Sequence, residues 1–263
     1  MTGPVAYAKQ GPSLQQNSGW EQGKRYLAEG KASEAREVFE DLLKSHPKEP
    51  EIHLFLAIAL LRMRDVQAAE VHIRQALVLA PDHAEARTLL GWINLEVRRD
   101  YSSAIEEYVK VVRLKPGLPE GHNNLGVANR KSGDSEMALA SFDRALALRD
   151  SYSEAWSNRG WVSVEQKNWQ AARNDFERAL QINPGDEGAL YGMAQVLRAT
   201  RDYAGAQQAL KRAMVQSPNF VYWLEWSQLQ LVRYYWLLLL VACAFFLQVQ
   251  YRKARARRKS NGG

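Results

Sequence analysis

The 263-residue chain has one cysteine, Cys243, so no disulfide can form within it and bridges say nothing of its compartment. That cysteine lies inside an apolar run, where packing is its expected role. Acidic residues are missing from the last part of the chain: all 29 lie at or before Glu225, while seven of the 35 basic residues lie from Arg233 onward. The net charge of +6 therefore belongs to the C-terminal tail, and the remainder is close to neutral. Stacking aromatics are not interleaved with those tail charges, which argues against nucleic acid and for anionic lipid. The N-terminus has no basic start and no apolar core, so no secretory signal peptide is expected there. Residues 1–16, rich in Gly, Pro, Gln and Ser, read as a mobile arm.

Chemistry-bearing motifs are missing too. The five histidines, His46, His53, His72, His83 and His122, show no metal-ligand spacing. There is no glycine-rich phosphate loop and no serine elbow. Glu51, Glu85, Glu120 and Glu154 form a column, but one that repeats with the fold and suits helix starts through the helix dipole. The expectation is a protein that is not an enzyme and carries no cofactor and no metal.

From 220 to 260 there is neither glycine nor proline. Tyr234 to Tyr251 is uncharged, bounded by Arg233 and Arg252, and as a helix would span about 27 Å, near the thickness of a bilayer core. Trp223, Trp226, Tyr234, Tyr235 and Trp236 on one side and Tyr251 on the other suit the headgroup boundary. Arg252, Lys253, Arg255, Arg257, Arg258 and Lys259 follow and can snorkel to phosphates. The expectation is a connecting helix over 219–233, a single transmembrane helix over 234–251 and a basic tail over 252–263. A buried helix of a soluble protein is the competing reading, since the densest apolar run, Trp236 to Leu247, is short.

Ahead of this segment the sequence repeats. A small-residue column runs Gly23, Ala57, Gly91, Gly126, Gly160, Ala194, and a second runs Ala35, Ala69, Ala104, Ala138, Ala172, Ala206. A bulky column runs Phe39, Ile73, Tyr108, Phe142, Phe176, Leu210. A helix-stopping column runs Pro47, Pro81, Pro116, Asp150, Pro184, Pro218. The step is 34 residues, with one step of 35 in the third unit. The physical reading is six helix–turn–helix units, about 17–47, 48–81, 82–116, 117–150, 151–184 and 185–218. Small residues let the paired helices approach, bulky ones fill the gap, and proline fixes the break before the next unit. The extra residue of the third unit is expected in its turn, near Arg98 to Tyr101.

This pattern resembles the tetratricopeptide repeat (TPR) family. Asn124-Leu125-Gly126, Ala138, Phe142 and Ala145 carry the resemblance in the fourth unit; Trp156, Gly160, Ala172, Phe176, Ala179 and Pro184 carry it in the fifth. The resemblance implies an all-α superhelical solenoid whose first helices line a groove for peptides, helices or whole proteins. By register, Leu54, Ile58, Leu61 and Trp92 would line its earlier half, and Asn123, Val127, Arg130, Trp161, Tyr191, Gln195 and Arg198 its later half. In the family an asparagine at the position of Asn124 and Asn158 can bond the backbone of an extended peptide. A carboxylate clamp of the chaperone-binding kind is not expected, since Val127, Gly188 and Gly192 stand where donors would be needed.

The expected function is a membrane-anchored scaffold or adaptor that assembles or localises a complex, its repeats on the cytoplasmic side of a bacterial inner membrane or a eukaryotic tail-anchored location. A targeting receptor for client signal segments, or a constitutive subunit of a membrane enzyme or motor, is the alternative.

Overall fold

A computed structural model describes residues 18–260. The expected N-terminal arm lies outside the described residues. Thirteen α-helices and no strand occur among those described. They divide into two compact units, 1–149 and 150–263.

The first unit holds four antiparallel pairs. They are α1 (Ser18–Ala28) with α2 (Ala32–Ser45), α3 (Pro50–Arg62) with α4 (Val66–Leu79), α5 (Ala84–Trp92) with α6 (Tyr101–Leu114), and α7 (Pro119–Ser132) with α8 (Ser135–Leu148). The second holds α9 (Ser153–Glu165) with α10 (Trp169–Ile182), α11 (Glu187–Ala199) with α12 (Tyr203–Gln216), and the long α13 (Phe220–Ser260). Every second helix stops two residues before the column Pro47, Pro81, Pro116, Asp150, Pro184, Pro218; at the prolines this is because a residue preceding proline is pushed out of helical geometry.

The small and bulky columns meet inside each pair. A Cβ built on Gly126 would stand 2.6 Å from the Phe142 ring, on Gly160 2.8 Å from Phe176, on Gly91 2.8 Å from Tyr108 and on Gly23 2.6 Å from Phe39. The two pairs with alanine in the small column, Ala57 and Ala194, carry an aliphatic bulky residue instead, Ile73 and Leu210. The small residue is thus matched to the size of its neighbour. These bulky side chains are almost fully buried, as is the whole alanine column from Ala35 to Ala206.

Each pair turns on one left-handed residue. Gly30, Arg64, Arg99, Gly133, Lys167 and Arg201 all have φ between 55° and 90°. In repeats 1, 2, 4, 5 and 6 the N–H of this residue reaches the carbonyl three back. The N–H of the next residue reaches five back, as in Asp65 to Leu60 and Asp202 to Leu197. This closes the first helix by satisfying carbonyls that would otherwise be orphaned. In repeats 2 to 6 that next residue then caps the second helix. Asp65, Asp100, Asp134, Asn168 and Asp202 each accept from a backbone N–H three residues on, at 2.9–3.3 Å.

The third repeat differs, and corrects the expected site of its extra residue. Its turn has the same length as the others. The additional residue is taken up inside the first helix, where Ile93–Arg98 continues α5 as a π-helical segment. The Asp100 N–H accordingly reaches six residues back, to Asn94. Widening one helical turn keeps the left-handed residue and the cap in register, so the pairing of α5 with α6 survives the insertion.

Candidate functional site

In the first unit, α3 and α5 present an apolar depression of about 320 Å³ lined by Ile58, Leu61, Arg62, Leu89 and Trp92. Three of these, Ile58, Leu61 and Trp92, are residues expected to line a groove. Trp92 is the open wall, 41% exposed. Leu89 was missed by register alone; it lies three residues before Trp92, on the same helical face. Two expected groove residues offer almost no surface. Leu54 and Asn123 are buried, 5% and 6% exposed, because their helix faces turn into the core. Asn124 and Arg130 on α7 are half-buried.

In the second unit, the equivalent surface is occupied from within. Trp161 packs edge-on against Phe176, with centroids 5.7 Å apart, and lies 5.7 Å from Tyr191. Tyr191 in turn lies 4.9 Å from Tyr222 of α13. Tyr191 Oη donates to Glu225 Oε1 at 2.8 Å and Gln195 Nε2 donates to Glu225 Oε2 at 2.8 Å. Arg198 Nη1 stands 3.5 Å from the same carboxylate. Expected groove residues Tyr191, Gln195 and Arg198 therefore bind a carboxylate that belongs to α13. Burial and the Glu225 carboxylate push the Tyr191 hydroxyl up to about 12. Asn158 is half-buried and already has a partner inside the protein. The column of Asn124 and Asn158 ends at Gly192 for a steric reason: a Cβ there would sit 2.2 Å from the Phe176 ring.

The base of α13 is built on repeat 6. Tyr222 and Leu229 are buried, Trp226 packs against the same cluster, and Tyr222 Oη donates to Glu187 at 2.7 Å. Trp226, expected at a membrane boundary, is thus drawn into repeat 6. Trp223 is 53% exposed and stacks on Phe220. It precedes Tyr234 by eleven residues, about 16 Å of helix. Beyond this base, Tyr234–Lys253 is a 20-residue stretch of mean hydropathy 1.5, with no buried residue among those described. Tyr234, Tyr235, Trp236, Tyr251, Arg252 and Lys253 are all exposed on it. It is long and apolar enough to cross a membrane. The side chains of Arg255, Arg257, Arg258 and Lys259 lie outside the described residues.

Two histidines far apart in sequence meet. His53 and His72 face each other across α3 and α4, Nδ1 to Nδ1 at 3.0 Å, and His53 Nε2 stands 3.2 Å from the Pro47 carbonyl. Scanning for close sequence spacing could not find this pair, because an antiparallel helix pair brings together residues 19 apart. Burial, and then the charge of a protonated His53, lower the His72 pKa. Among the described residues no group of three or more His, Cys, Asp or Glu is placed to hold a metal.

The sequence profile of the tetratricopeptide repeat matches residues 26–93 and 163–225, and a second profile of the same description matches 123–187. The chain belongs to the tetratricopeptide repeat family. Among curated proteins it is similar to Tetratricopeptide repeat protein 37 of Xenopus laevis, 23% identical over 241 residues, covering 76% of this chain and 15% of that protein. The chain spans only 15–16% of the length of the first such relatives. Among solved structures it resembles PilW, described as a widely conserved type IV pilus biogenesis factor. That match has a TM-score of 0.69 and 20% identity, over 75% of this chain and 91% of that one. It resembles the APC/C hetero-tetramer Cut9-Hcn1 with the same TM-score and 22% identity, over 79% of this chain and 41% of that one. At these identities the structural likeness establishes the fold. TPR proteins mediate protein–protein interaction and complex assembly, which is the general class of function this fold defines.

Proposed function

We propose that this protein is a membrane-anchored scaffold, which holds partner proteins at a bilayer through the first-helix faces of its repeats. The observation that carries the reading is the continuity of α13. One unbroken 41-residue helix packs on repeat 6 through Tyr222 and Leu229 and continues into the apolar stretch Tyr234–Lys253. A helix without a hinge transmits orientation, so repeat 6 is held at a set angle to the membrane. Tyr234, Tyr235 and Trp236 mark one boundary, and Tyr251, Arg252 and Lys253 the other, where the basic tail meets anionic lipid. The repeats lie on the cytoplasmic side.

The partner surface in the first unit is the depression around Ile58, Leu61, Leu89 and Trp92. Its apolar lining suits the apolar face of an amphipathic helix. Asn124, half-buried on α7, is placed to bond an extended backbone. Nothing in the site favours turnover, so the protein binds and places its partners.

The test compares the full chain with a form ending at Val232. Membranes are extracted with alkaline carbonate, and partners are recovered in mild detergent. The full chain stays with the membrane and the shortened form does not, while both retain the same soluble partners. If the full chain is released by carbonate, the anchor reading fails. If those soluble partners are lost with α13, the repeats do not select them and the scaffold reading fails.

A further inference from the structure

The helix α13 stands where the first helix of a seventh repeat would stand. Thirty-four residues separate Leu190, Met193 and Leu197 of α11 from Leu224, Ser227 and Leu231 of α13. On α11 those three side chains are buried, 1%, 8% and 8% exposed, in the cluster shared with the second helix of the same repeat, α12. On α13 the helix runs straight on past the position of the turn, so no second helix folds back there. Leu224 is 41% exposed and Leu231 63% exposed. Beside them runs an apolar groove walled by Trp223, Trp226, Leu231, Tyr234 and Leu237, with the small Ser227 on its floor. The open face is therefore a slot shaped for one helix, lying parallel to the axis of α13.

Three observations specify what fills it. The groove runs from Trp223 to Leu237, so it crosses the boundary at Arg233 and Tyr234 where the apolar stretch begins. Lipid covers only the part beyond that boundary. The part from Trp223 to Ser227, about 10 to 16 Å of helix before Tyr234, needs protein. The occupant is thus continuous across the boundary, as a membrane-spanning helix with a short extension is. Charge then argues against a second copy of this chain. Parallel pairing would set Arg252 and Lys253 of two copies at one depth, with no acidic residue after Glu225 to offset them.

We infer that the slot along Trp223, Ser227, Leu231, Tyr234 and Leu237 pairs with the membrane-spanning helix of a different protein, one that carries carboxylates flanking its span. This rests on the anchor reading above. The partner helix takes the place that the second helix of a repeat would take, and its carboxylates meet Arg252 and Lys253 at the far end of the apolar stretch of α13.

The test places a photocrosslinking phenylalanine analogue in the full chain, in its native membrane, at Ser227, Leu231 or Leu237 in the slot. Val221, Val232 and Leu239, on the opposite face and also exposed, are the controls. Adducts are expected at the slot positions only, and peptide mapping should locate them in a membrane-spanning segment of another protein. Reversing that segment's flanking carboxylates to lysine should abolish the adducts. An adduct of twice the chain mass would overturn the inference in favour of self-pairing. Adducts to residues 1–17 of the same chain, adducts only to soluble proteins, equal yields on both faces or no adduct would also overturn it. Carbonate extraction of the same samples separates the two failures. Release into the supernatant sinks the anchor reading, whereas retention without slot-limited adducts sinks the pairing alone.

Discussion

Helices α11 and α13 begin alike and end differently. Both follow a second helix of the preceding repeat after a break, and both pack their early turns on that repeat. Helix α11 stops after Ala199, turns on Arg201 with φ of 65°, and hands over to Asp202, which caps α12. The positions 34 residues on are Tyr235 and Trp236. Neither favours the left-handed region, and neither has an oxygen that caps a following helix, so α13 continues to Ser260. Where five of the six completed turns place a capping side-chain oxygen, α13 thus has Trp236, and the helix runs on.

The most drastic way to break the comparison is to restore the turn. Tyr235→Gly with Trp236→Asp puts a left-handed residue and a cap at the start of the apolar stretch. The chain is expected to lose membrane retention in carbonate extraction, since a turn at Tyr235 leaves only Leu237 to Tyr251 as apolar helix, about 22 Å against a hydrocarbon core of about 30 Å. Full retention by this variant would show that α13 does not depend on an uninterrupted span.

Gly192 sharpens the contrast. Its register partner on α13 is Trp226, so one position takes the smallest residue in one helix and the largest in the other. On α11 the Phe176 ring leaves no room. Gly192→Ala is expected to destabilise the second unit by about 1 to 3 kcal/mol, as overpacking does, read by thermal or denaturant unfolding. Phe176→Leu in the same chain should recover part of that loss in a double-mutant cycle. Additive effects would mean that the two do not collide.

The node at Glu225 tests how firmly α13 is seated. Glu225→Gln weakens three donors at once and is expected to cost about 1 to 2 kcal/mol in the second unit. It should also lower the Tyr191 titration from about 12 toward the ordinary tyrosine value, by ultraviolet titration. The sign follows from linkage. A tyrosine raised in the fold contributes stability that is whole below pH 10 and is lost as pH rises toward 12, so the variant should lose less over that interval. An unchanged titration would place Tyr191 elsewhere than on this carboxylate.

The two units should also part under mild acid. All five histidines lie in the first unit and none in the second. The neutral His53–His72 contact has one Nδ1 donating and the other accepting, so protonating the acceptor breaks it. Burial lowers the His72 pKa below 6.5, so the fold binds fewer protons than the unfolded chain. Stability is then whole above pH 6.5 and falls below it, by at most about 1.4 kcal/mol per pH unit. Hydrogen exchange between pH 7.5 and 5.5, corrected for intrinsic rates, should show α3 and α4 losing protection while α11 and α12 hold. Equal loss in both units would remove the histidine pair as the cause.

The periodic part of this architecture was legible because it recurs. Four coincident columns of six residues each define the pairs, and even the match of glycine to aromatic rings can be seen in the pairs Gly126–Phe142 and Ala57–Ile73. The extra residue was legible in count but not in place. Nothing local marks Ile93–Arg98 as π-helical; the reason is that the Arg99 turn and the Asp100 cap keep their register. The candidate surface was half legible. Ile58, Leu61 and Trp92 come together, but register alone cannot tell a groove face from a core face, and Leu54 and Asn123 fell on the wrong side. It also cannot foresee that Glu225 would occupy Tyr191, Gln195 and Arg198, since that depends on α13 docking where the first helix of a further repeat would stand.

The smallest expected effect concerns the turns themselves. Gly30 and Gly133 adopt the left-handed conformation without a Cβ penalty, while Arg64, Arg99, Lys167 and Arg201 adopt it against one. In the completed repeats the two hydrogen bonds at the turn and the following cap outweigh that strain. Arg201→Gly should therefore stabilise the second unit by about 0.5 to 1 kcal/mol, the relieved strain exceeding the added freedom of the unfolded chain. The same exchange at Arg99 is the stricter test. There the helix before the turn is π-helical, and its Asp100 N–H already reaches one residue further back. If Arg99→Gly stabilises as much as Arg201→Gly, the π segment is a passive store for the inserted residue. If the gain is lost at Arg99, the left-handed arginine is what holds the widened turn in register, and a glycine there lets it relax.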